Sequence, residues 1–386
     1  MKVSCLQENL AKGLATVSRA VASRSTLPVL GNVLLATDQG RLKLAATNLE
    51  LAVTCWIGAK VDEDGATTVP ARLLVDFVNS LPPERIDMQL NARTQTLRLK
   101  CARYDANIKG IDATEFPIIP TLADSKKIPL EPEVLREMIE QVTFAAATDE
   151  SRPVLTGVAV RFDKDRVMFA AADGFRLSVR HATLSTPVDQ PTNVIIPAKA
   201  LQEVGRVSGD QEDPIEMAVT ESRSQVLFRL TNIEIVSQLI DGVFPDVMRI
   251  IPESHVTRTV VTTAELQNAV KASAVFAREA MNTVRLQAAP AGEAGAPSEG
   301  AVAAPGKMTI TATSAESGDN LGEIDATVDG APIEIAFNAR YLADVLNVLH
   351  APQVVIETSS SSSPGVFKAV GRDDFTHVIM PMQLGK

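Results

Sequence analysis

The sequence is poor in the residues that carry covalent and redox chemistry. Its 386 residues include three cysteines, four histidines and one tryptophan. The cysteines, Cys5, Cys55 and Cys101, form no CxxC pair and have no metal-ligand spacing. The N-terminus has one lysine and then turns polar, without the apolar core of a signal peptide. A sparse, odd cysteine count without an export signal favours a reducing compartment, and we expect a cytoplasmic protein.

Long apolar runs and the common catalytic motifs are absent as well. No stretch approaches ~18 uninterrupted apolar residues, the length that a membrane-spanning helix needs. The sequence has no GxxxxGKS/T, GxGxxG or GxSxG motif, and its four histidines lack the HExxH spacing. We therefore expect no catalytic residues, no cofactor and no metal. A hydrolase with dispersed acidic metal ligands is the enzymatic alternative.

Basic residues are outnumbered: 47 aspartates and glutamates against 37 lysines and arginines give a net charge of −10. This surplus argues against a surface wrapped entirely in nucleic acid, because phosphate neutralisation needs clustered lysine and arginine. It allows a locally basic surface on an acidic body. The length predicts two to three domains, and the 45% hydrophobic content is typical of a soluble globular protein.

What the sequence does contain is a threefold internal repeat. An apolar pattern of helical period precedes each of TLPVLGNVLL at 26–35, SRPVLTGVAV at 151–160 and MNTVRLQA at 281–288. The PVL triplets of the first two segments begin at Pro28 and Pro153, 125 residues apart. A helical pattern therefore runs into a related segment three times along the chain.

Further segments repeat in the same order. They are LKLAATNLELAV at 42–53 with VMFAAADGFRLSV at 167–179, TVPARLLVDFVNSL at 68–81 with IIPAKALQEVGRV at 195–207 and AFNARYLADVLNVL at 336–349, and EFPIIP at 115–120 with VFPDVMRIIP at 243–252. Several matches in one order and at one spacing predict three tandem domains. We place copy one at 1–125, copy two at 126–254 and copy three at 255–386.

Each copy combines helices with short antiparallel strands. Two helical patterns per copy flank segments of period-2 alternation, such as 41–47 and 96–104. This predicts the α+β class, with two helices backed by antiparallel sheets in each copy. Copy three is lengthened by a Pro/Gly/Ala-rich run at 288–306, which is typical of a flexible surface loop, and SSSSSPG at 359–365 predicts a shorter one.

These repeated segments resemble the bacterial DNA polymerase III beta subunit family, the DNA sliding clamps. The resemblance rests on TLPVLGNVLL, TTVPARLL, AADGFRLSV, LIDGVFPDVMRIIP, FNARYLADVLNVL and the C-terminal VIMPMQL, which together span nearly the whole chain. It implies a head-to-tail homodimer that closes as a ring around double-stranded DNA without reading its sequence. It also implies a processivity factor that tethers the DNA polymerase III alpha subunit, and that binds the clamp loader and other proteins with clamp-binding peptides.

The resemblance implies a peptide pocket between copies two and three. Leu155, Leu177 and Val378 alone would be ordinary strand core, but an apolar C-terminal run with little chain beyond it indicates a groove. Phe175, Met248 and Gln383 depart from the family's usual residues and put the peptide preference in doubt. Carried over by motif, the pocket residues are Leu155, Asp173, Gly174, Arg176, Leu177, Pro245, Arg249, Val378, Ile379, Met380, Pro381, Met382 and Leu384.

For DNA, the helices are expected to line the hole. The helical pattern at 6–24 carries basic residues, whereas the pattern at 131–147 is mostly acidic, so the lining is mixed. The candidate DNA-facing residues are Arg24, Lys12, Arg19, Lys199, Arg206 and Lys271.

For ring closure the resemblance points to Ile108 in copy one and to Val275 and Phe276 in copy three. The alternatives from other classes are a three-domain protein scaffold that never encircles DNA and the hydrolase named above.

Overall fold

The computed structural model describes residues 1–22, 24–121, 126–290 and 306–383. In this part of the chain six α-helices form, two in each predicted copy. They are α1 Gln7–Val17, α2 Ala71–Ser80, α3 Pro132–Thr143, α4 Ala198–Val207, α5 Thr263–Ala277 and α6 Ala339–Val348. Within the described ranges, no helix combines the length and the apolar character that crossing a membrane requires.

The described residues also form twenty-five strands. They are β1 Lys2–Leu6, β2 Asn32–Asp38, β3 Arg41–Thr47, β4 Leu51–Gly58, β5 Lys60–Glu63, β6 Ala66–Pro70, β7 Arg85–Asn91, β8 Thr96–Cys101, β9 Tyr104–Lys109, β10 Ile128–Leu130, β11 Gly157–Asp163, β12 Arg166–Ala172, β13 Arg176–Thr183, β14 Thr192–Pro197, β15 Ile215–Val219, β16 Gln225–Arg229, β17 Ile233–Gln238, β18 Thr257–Thr262, β19 Thr283–Ala289, β20 Gly306–Ser314, β21 Gly318–Gly330, β22 Ile333–Asn338, β23 Gln353–Thr358, β24 Gly365–Ala369 and β25 Phe375–Ile379.

The chain forms two compact units. Unit 1 comprises Met1–Leu135 and Ala200–Ile240, and unit 2 comprises Arg136–Lys199 and Asp241–Lys386. Unit 1 contains a five-stranded sheet in the order β5-β1-β7-β8-β9 and an eight-stranded sheet in the order β10-β15-β16-β17-β4-β3-β2-β6. Unit 2 contains one twelve-stranded sheet in the order β14-β11-β12-β13-β25-β24-β23-β18-β21-β20-β19-β22. Copy two therefore contributes strands to both units.

Each unit contains one seam at which strands of consecutive copies pair. In unit 1 the first seam joins β4 of copy one to β17 of copy two. The two strands are antiparallel to each other, with Leu51 opposite Ser237. In unit 2 the second seam joins β13 of copy two to β25 of copy three, with Arg176 opposite Ile379. Backbone pairing across a seam makes two copies share one sheet, so neither copy presents an open strand edge there.

The helices form because their apolar residues repeat with helical spacing. In α6, Leu342, Val345 and Leu346 are buried in the core of unit 2, at the i, i+3 and i+4 positions of one face. Asn338 caps this helix, since its side chain accepts a hydrogen bond of 2.9 Å from the Arg340 N–H. The strands alternate instead: in β8 the buried residues Leu97 and Leu99 alternate with exposed ones.

The sequence repeat recurs in the backbone hydrogen bonds. In copy one the N–H groups of Glu50 and Leu51 donate to Asn48 Oδ1 at 3.0 and 2.8 Å. In copy two, 125 residues on, the N–H groups of Phe175 and Arg176 donate to Asp173 Oδ1 at 2.8 and 3.0 Å. The same turn thus precedes β4 and β13, and it brings each strand to its seam in the same way.

Three local predictions require correction. The helical pattern at 6–24 ends as an α-helix at Val17, and a 3-10 turn follows at Ser18–Ala20. The predicted strand at 96–104 ends at Cys101, because the chain turns at Ala102 with a positive φ of 49°. Both ends of the low-complexity run at 288–306 lie in strands β19 and β20, while its residues 291–305 lie outside the described part of the chain.

Candidate functional site

Several of the predicted pocket residues meet at the turn that leads into β13. Asp173 accepts the two N–H bonds described above, and Gly174 has a φ of 94°, a conformation that side chains other than glycine rarely adopt. A Cβ on Gly174 would lie 3.1 Å from Arg152 Nη1. Arg152 in turn donates from Nη2 to the Asp173 carbonyl at 3.3 Å. The turn is therefore fixed both by its own side chain and by a neighbouring arginine.

Arg176 is the most highly bonded side chain of this site. Its Nε donates to Asp173 Oδ2 at 3.0 Å, its Nη1 to Asp344 Oδ2 at 2.5 Å and its Nη2 to the Phe144 carbonyl at 2.6 Å. The guanidinium also stacks on two rings, with its carbon 4.4 Å from the Tyr341 centroid and 5.3 Å from that of Phe144. A side chain only 11% exposed with this many partners has little freedom to move.

The charges around Arg176 are balanced locally. Two carboxylates flank one buried guanidinium, which offsets the cost of removing these charges from water. Burial raises the pKa of the Tyr341 hydroxyl, and the charge of Asp173 adds to this effect, while Arg176 opposes it. Tyr341 therefore stays neutral at physiological pH and serves as an aromatic wall beside the guanidinium.

The C-terminal segment lies against this turn. After β25, the Met380 N–H donates to the Phe175 carbonyl at 2.8 Å, and the Met382 N–H donates to the Ala336 carbonyl at 2.8 Å. The Thr283 hydroxyl contacts Met382 Sδ at 3.5 Å. Residues 380–382 therefore run from the second seam to the edge strand β22, and a backbone hydrogen bond holds each end of this segment.

The predicted pocket residues differ in exposure. Leu177, Val378 and Ile379 are at most 2% exposed, so their side chains support the surface from within the sheet. Leu155, Pro381 and Met382 are half-buried, and Met380 is 41% exposed. Pro245 and Arg249 are exposed in the segment after β17, and Leu384 lies outside the described residues. The accessible apolar surface therefore comes from only part of the predicted set.

Two further apolar residues of unit 2 are exposed beside the predicted set. Met248, which the sequence singled out as a departure from the family, is 48% exposed, and Ile250, which sequence reasoning missed, is 41% exposed; between them Arg249 pairs with Asp246 at 3.1 Å. Gly242, at the start of this segment, approaches Val154 so closely that a Cβ there would lie 2.7 Å from the valine Cγ2. The segment 242–250 therefore begins next to the turn at 153–156 that holds Leu155.

The partners of Arg176 were also missed. Phe144 follows α3, and Tyr341 and Asp344 lie on α6, far from Arg176 in the sequence. The sequence offered a weak signal, since Tyr341 and Asp344 are spaced i, i+3 and so share one helix face. Nothing in the sequence indicates that this face meets β13, which only the fold determines.

His377 lies under the site as a neutral, fully buried ring. Its Nδ1 is 2.6 Å from Ser178 Oγ, and its ring centroid is 5.3 Å from that of Phe144. Among the described residues its Nε2 has no hydrogen-bond partner. Burial, with a smaller contribution from the charge of Arg176, lowers its pKa to about 3. The folded protein therefore resists protonation of this histidine.

The lowered pKa of His377 makes the stability of the fold depend on pH. Between about pH 6.5 and pH 3 the unfolded chain binds a proton that the folded chain does not bind. The free energy of unfolding therefore decreases as the pH is lowered through this range. The slope from this group is about 1.4 kcal/mol per pH unit. We expect the wild type to lose about 2 kcal/mol more than His377→Gln between pH 7 and pH 5, measured by urea denaturation. Equal losses in both proteins would contradict this assignment.

Three of the predicted DNA-facing residues come together in unit 1. Arg19 Nη1 lies 3.3 Å from Glu203 Oε1, and Arg206 Nε lies 2.8 Å from the other carboxylate oxygen. Arg206 also donates from Nη2 to the Thr16 carbonyl at 3.1 Å. Lys12 pairs with Asp210 at 3.3 Å, and because both side chains are over 80% exposed this pair contributes little to stability. Helices α1 and α4 are thus linked by charged contacts.

The remaining basic candidates are separate. Lys199 on α4 and Lys271 on α5 are exposed, and Arg24 is exposed in the loop after the 3-10 turn. The acidic helix α3 was expected to belong to the same mixed lining. Its Glu137 instead pairs with Arg180 and Arg372 inside unit 2. Charge on a helix therefore did not by itself identify the solvent-facing side.

The predicted interface residues lie at sheet edges and on α5. Ile108, 4% exposed, is in β9, the edge strand of the five-stranded sheet, opposite Leu97. Val275 is 59% exposed, whereas Phe276 is half-buried against the core of unit 2. Among the described strands, β21 pairs only with β20 over residues 318–325, because β18 pairs with it from Ala326 onwards. In the described part of the chain, each unit therefore offers a strand segment with one unpaired side.

Among the described residues, no three His, Cys, Asp or Glu side chains gather in a way that could hold a metal ion. The ion pairs reported above instead join acidic side chains to arginines and lysines. The site around Arg176 offers anchored apolar and charged surface for binding.

Comparison with known proteins supplies a family. Three models match in chain order: DNA polymerase III beta subunit, N-terminal domain, at residues 1–120, the central domain at 129–246 and the C-terminal domain at 301–383. The beta sliding clamp of Synechococcus elongatus is 32% identical over 389 residues, which cover 100% of both chains. The crystal structure of the Bacillus subtilis sliding clamp superimposes with a TM-score of 0.91 at 26% identity, and that of the Pseudomonas aeruginosa sliding clamp bound to griselimycin with 0.89 at 28%, each covering 100% of both chains.

Proposed function

We propose, since this chain belongs to the DNA polymerase III beta subunit family, that two copies of it close head to tail into a ring around duplex DNA. Membership makes the chain a sliding clamp, a non-catalytic processivity subunit of the replicative polymerase. The partners we propose are double-stranded DNA, a second copy of the chain, the polymerase alpha subunit, the clamp loader and other proteins with clamp-binding peptides. The protein would act in the cytoplasm.

The observation that supports the ring is the pair of strand segments with one free side. Strand β9 in copy one and residues 318–325 of β21 in copy three each lack a β-partner on one side among the described strands. A head-to-tail contact between copies one and three would pair them, and two such contacts close the ring. Ile108, Val275 and Phe276 would lie in these contacts. We place the domain boundaries at 1–125, 126–254 and 255–386.

Inside the ring, the DNA-facing residues would act weakly and without sequence preference. Tight base contacts would hinder sliding, so phosphate contacts from a few basic side chains suit the task better. The pairing of Arg19 and Arg206 with Glu203 supports this, because part of their charge is already neutralised. The candidate contacts to DNA are Arg24, Lys12, Arg19, Lys199, Arg206 and Lys271.

The peptide pocket would lie around Arg176 and the C-terminal segment. A short, partly apolar peptide would dock against half-buried side chains, as a groove accepts a few anchors. The flexible thioethers of Met380 and Met382 suit several different peptides. Its proposed residues are Leu155, Asp173, Gly174, Arg176, Leu177, Pro245, Arg249, Val378, Ile379, Met380, Pro381, Met382 and Leu384. Tethering a polymerase there raises its effective concentration at the primer end.

Retention on DNA of defined topology tests the ring. Protein loaded onto nicked circular duplex should stay bound through gel filtration, and cutting the circle should release it, since a ring slides off a free end. Linear DNA with both ends blocked by bound protein is the control and should retain it. Equal retention on open linear and circular DNA would contradict encirclement and favour a scaffold that binds DNA or its proteins directly.

A further inference from the structure

We propose that four charged residues of unit 2, Glu137, Arg180, Arg372 and Asp374, are positioning residues that hold the C-terminal strand in its peptide-binding register. We call them the seam network. The proposal deepens the peptide pocket proposed above and rests on it. The network lies at one end of β25, and the pocket segment 378–382 follows at the other end.

The seam network is a closed ring of ion pairs. Arg180 Nη2 donates to Glu137 Oε2 at 2.9 Å, and Arg180 Nη1 pairs with Asp374 Oδ2. Arg372 donates from Nη1 to Glu137 Oε1 at 2.8 Å and from Nη2 to Asp374 Oδ2 at 3.0 Å. Each arginine thus contacts both carboxylates. The Arg180 side chain is 5% exposed, so its charge depends on these partners.

The network joins three elements at the second seam. Glu137 lies on α3, Arg180 on β13, and Arg372 and Asp374 in the turn between β24 and β25. Asp374 immediately precedes β25, and its carbonyl accepts the His181 N–H at 2.8 Å. Fixing Asp374 therefore fixes the start of β25 against β13. A slip of one residue in this pairing would turn every side chain from 375 to 379 to the other face.

The electrostatic state of the two acids agrees with tight pairing. Burial acts to raise the pKa of Glu137, but the hydrogen bond from Arg372 and the charge of Arg180 outweigh it, and the net pKa is lowered. The pKa of Asp374 is lowered by the same arginines against the same opposing effect of burial. Both carboxylates are therefore charged at neutral pH, and the network carries two charges of each sign.

The first seam shows that this fold does not require the network. There the Trp56 N–H donates to the Asn232 carbonyl at 2.9 Å, as His181 does to Asp374 in the second seam. Asn232 therefore corresponds to Asp374, and Leu230 to Arg372, two residues earlier in each case. Cys55 precedes Trp56 as Arg180 precedes His181, and Lys12 corresponds to Glu137 by the 125-residue offset of the repeat. Burial raises the pKa of Cys55 to about 11, so this position is uncharged.

The physical role of the network follows from this contrast. Buried ion pairs add little net stability compared with apolar residues of similar size, and their best-attested use is to specify one register. The first seam, at which we propose no pocket, uses a neutral thiol, whereas the seam that carries the proposed pocket uses four charges. We infer that the charges restrict β25 to one position, which holds Met380 and Met382 where a peptide can meet them.

Transplanting the first seam into the second tests the proposal. The variant Glu137→Lys/Arg180→Cys/Arg372→Leu/Asp374→Asn copies a set of side chains that already supports this backbone in unit 1, so it should fold. We expect amide hydrogen exchange in 375–383 to rise by about tenfold, because the strand samples other positions. Affinity for a fluorescent polymerase-derived peptide should fall by about tenfold. Exchange elsewhere in unit 2 should stay close to that of the wild type.

A control separates positioning from general stability. Ile310→Val removes a methylene from the core of unit 2 away from the network, and it should lower the melting temperature without changing exchange in 375–383 or peptide affinity. If the fourfold variant does not fold, Arg372→Met takes its place, because Arg372 is the more exposed of the two arginines, at 36% against 5% for Arg180. Wild-type exchange and affinity in the variant would overturn the network's role. Failure of the wild type to bind the peptide would overturn the pocket alone, because the exchange measurement still decides the network.

Discussion

Met382→Glu should abolish binding of a polymerase-derived peptide, lowering its affinity by at least about a hundredfold. Met382 is half-buried, with its N–H held by Ala336 and its sulfur in contact with Thr283. Because the backbone fixes this position, a glutamate could not move its carboxylate away from the groove. An apolar anchor of the peptide would then have to remove that charge from water without a compensating partner.

Val256→Glu is the matched control. It adds the same charge in unit 2 at an apolar residue that is 57% exposed and is not among the proposed pocket residues, so the affinity should change by no more than about twofold. Fluorescence anisotropy with the labelled peptide measures both variants, and the wild-type melting temperature should be retained in each. An unchanged affinity in Met382→Glu would show that the peptide docks elsewhere.

The fold could be predicted from the sequence because each repeat contains local patterns of apolar residues. The helical spacing of Leu342, Val345 and Leu346 is visible in the sequence alone, and so is the alternation of apolar and polar residues in β8. The six helices and the three-domain α+β organisation followed from such patterns together with the 125-residue offset. Helix ends were less predictable, since α1 ends at Val17 although apolar residues continue beyond it.

The candidate site was harder to predict because its key contacts join distant residues. The sequence pointed to Arg176, but its partners Asp344 and Phe144 come from elements that only the sheet order brings near β13. Glu137 belongs to the acidic helical pattern at 131–147, which was expected to form part of the lining of the hole, whereas it pairs inward with two arginines. Charge sign is local information, whereas the direction of a helix face depends on what packs against it.

Val275→Arg should convert the protein to a monomer and remove its retention on circular DNA. Val275 is 59% exposed on α5, so the change should leave the core of unit 2 intact. At the proposed contact between copies one and three, two symmetry-related arginines per ring would each need to be desolvated in an apolar interface. We expect the dimer Kd to rise by a hundredfold or more, which corresponds to about 3 kcal/mol for the whole ring and so to about 1.4 kcal/mol at each of its two contacts.

Val256→Arg is the control for this change, because Val256 is an apolar residue of nearly equal exposure, 57%, in the same unit but outside the proposed contact. Sedimentation should give twice the 41.2 kDa chain mass for the wild type and Val256→Arg, and the single chain mass for Val275→Arg. Peptide affinity should be the same in all three, since the pocket lies within one chain. A dimeric Val275→Arg would remove α5 from the interface, and a monomeric variant still retained on circular DNA would contradict encirclement by a closed ring.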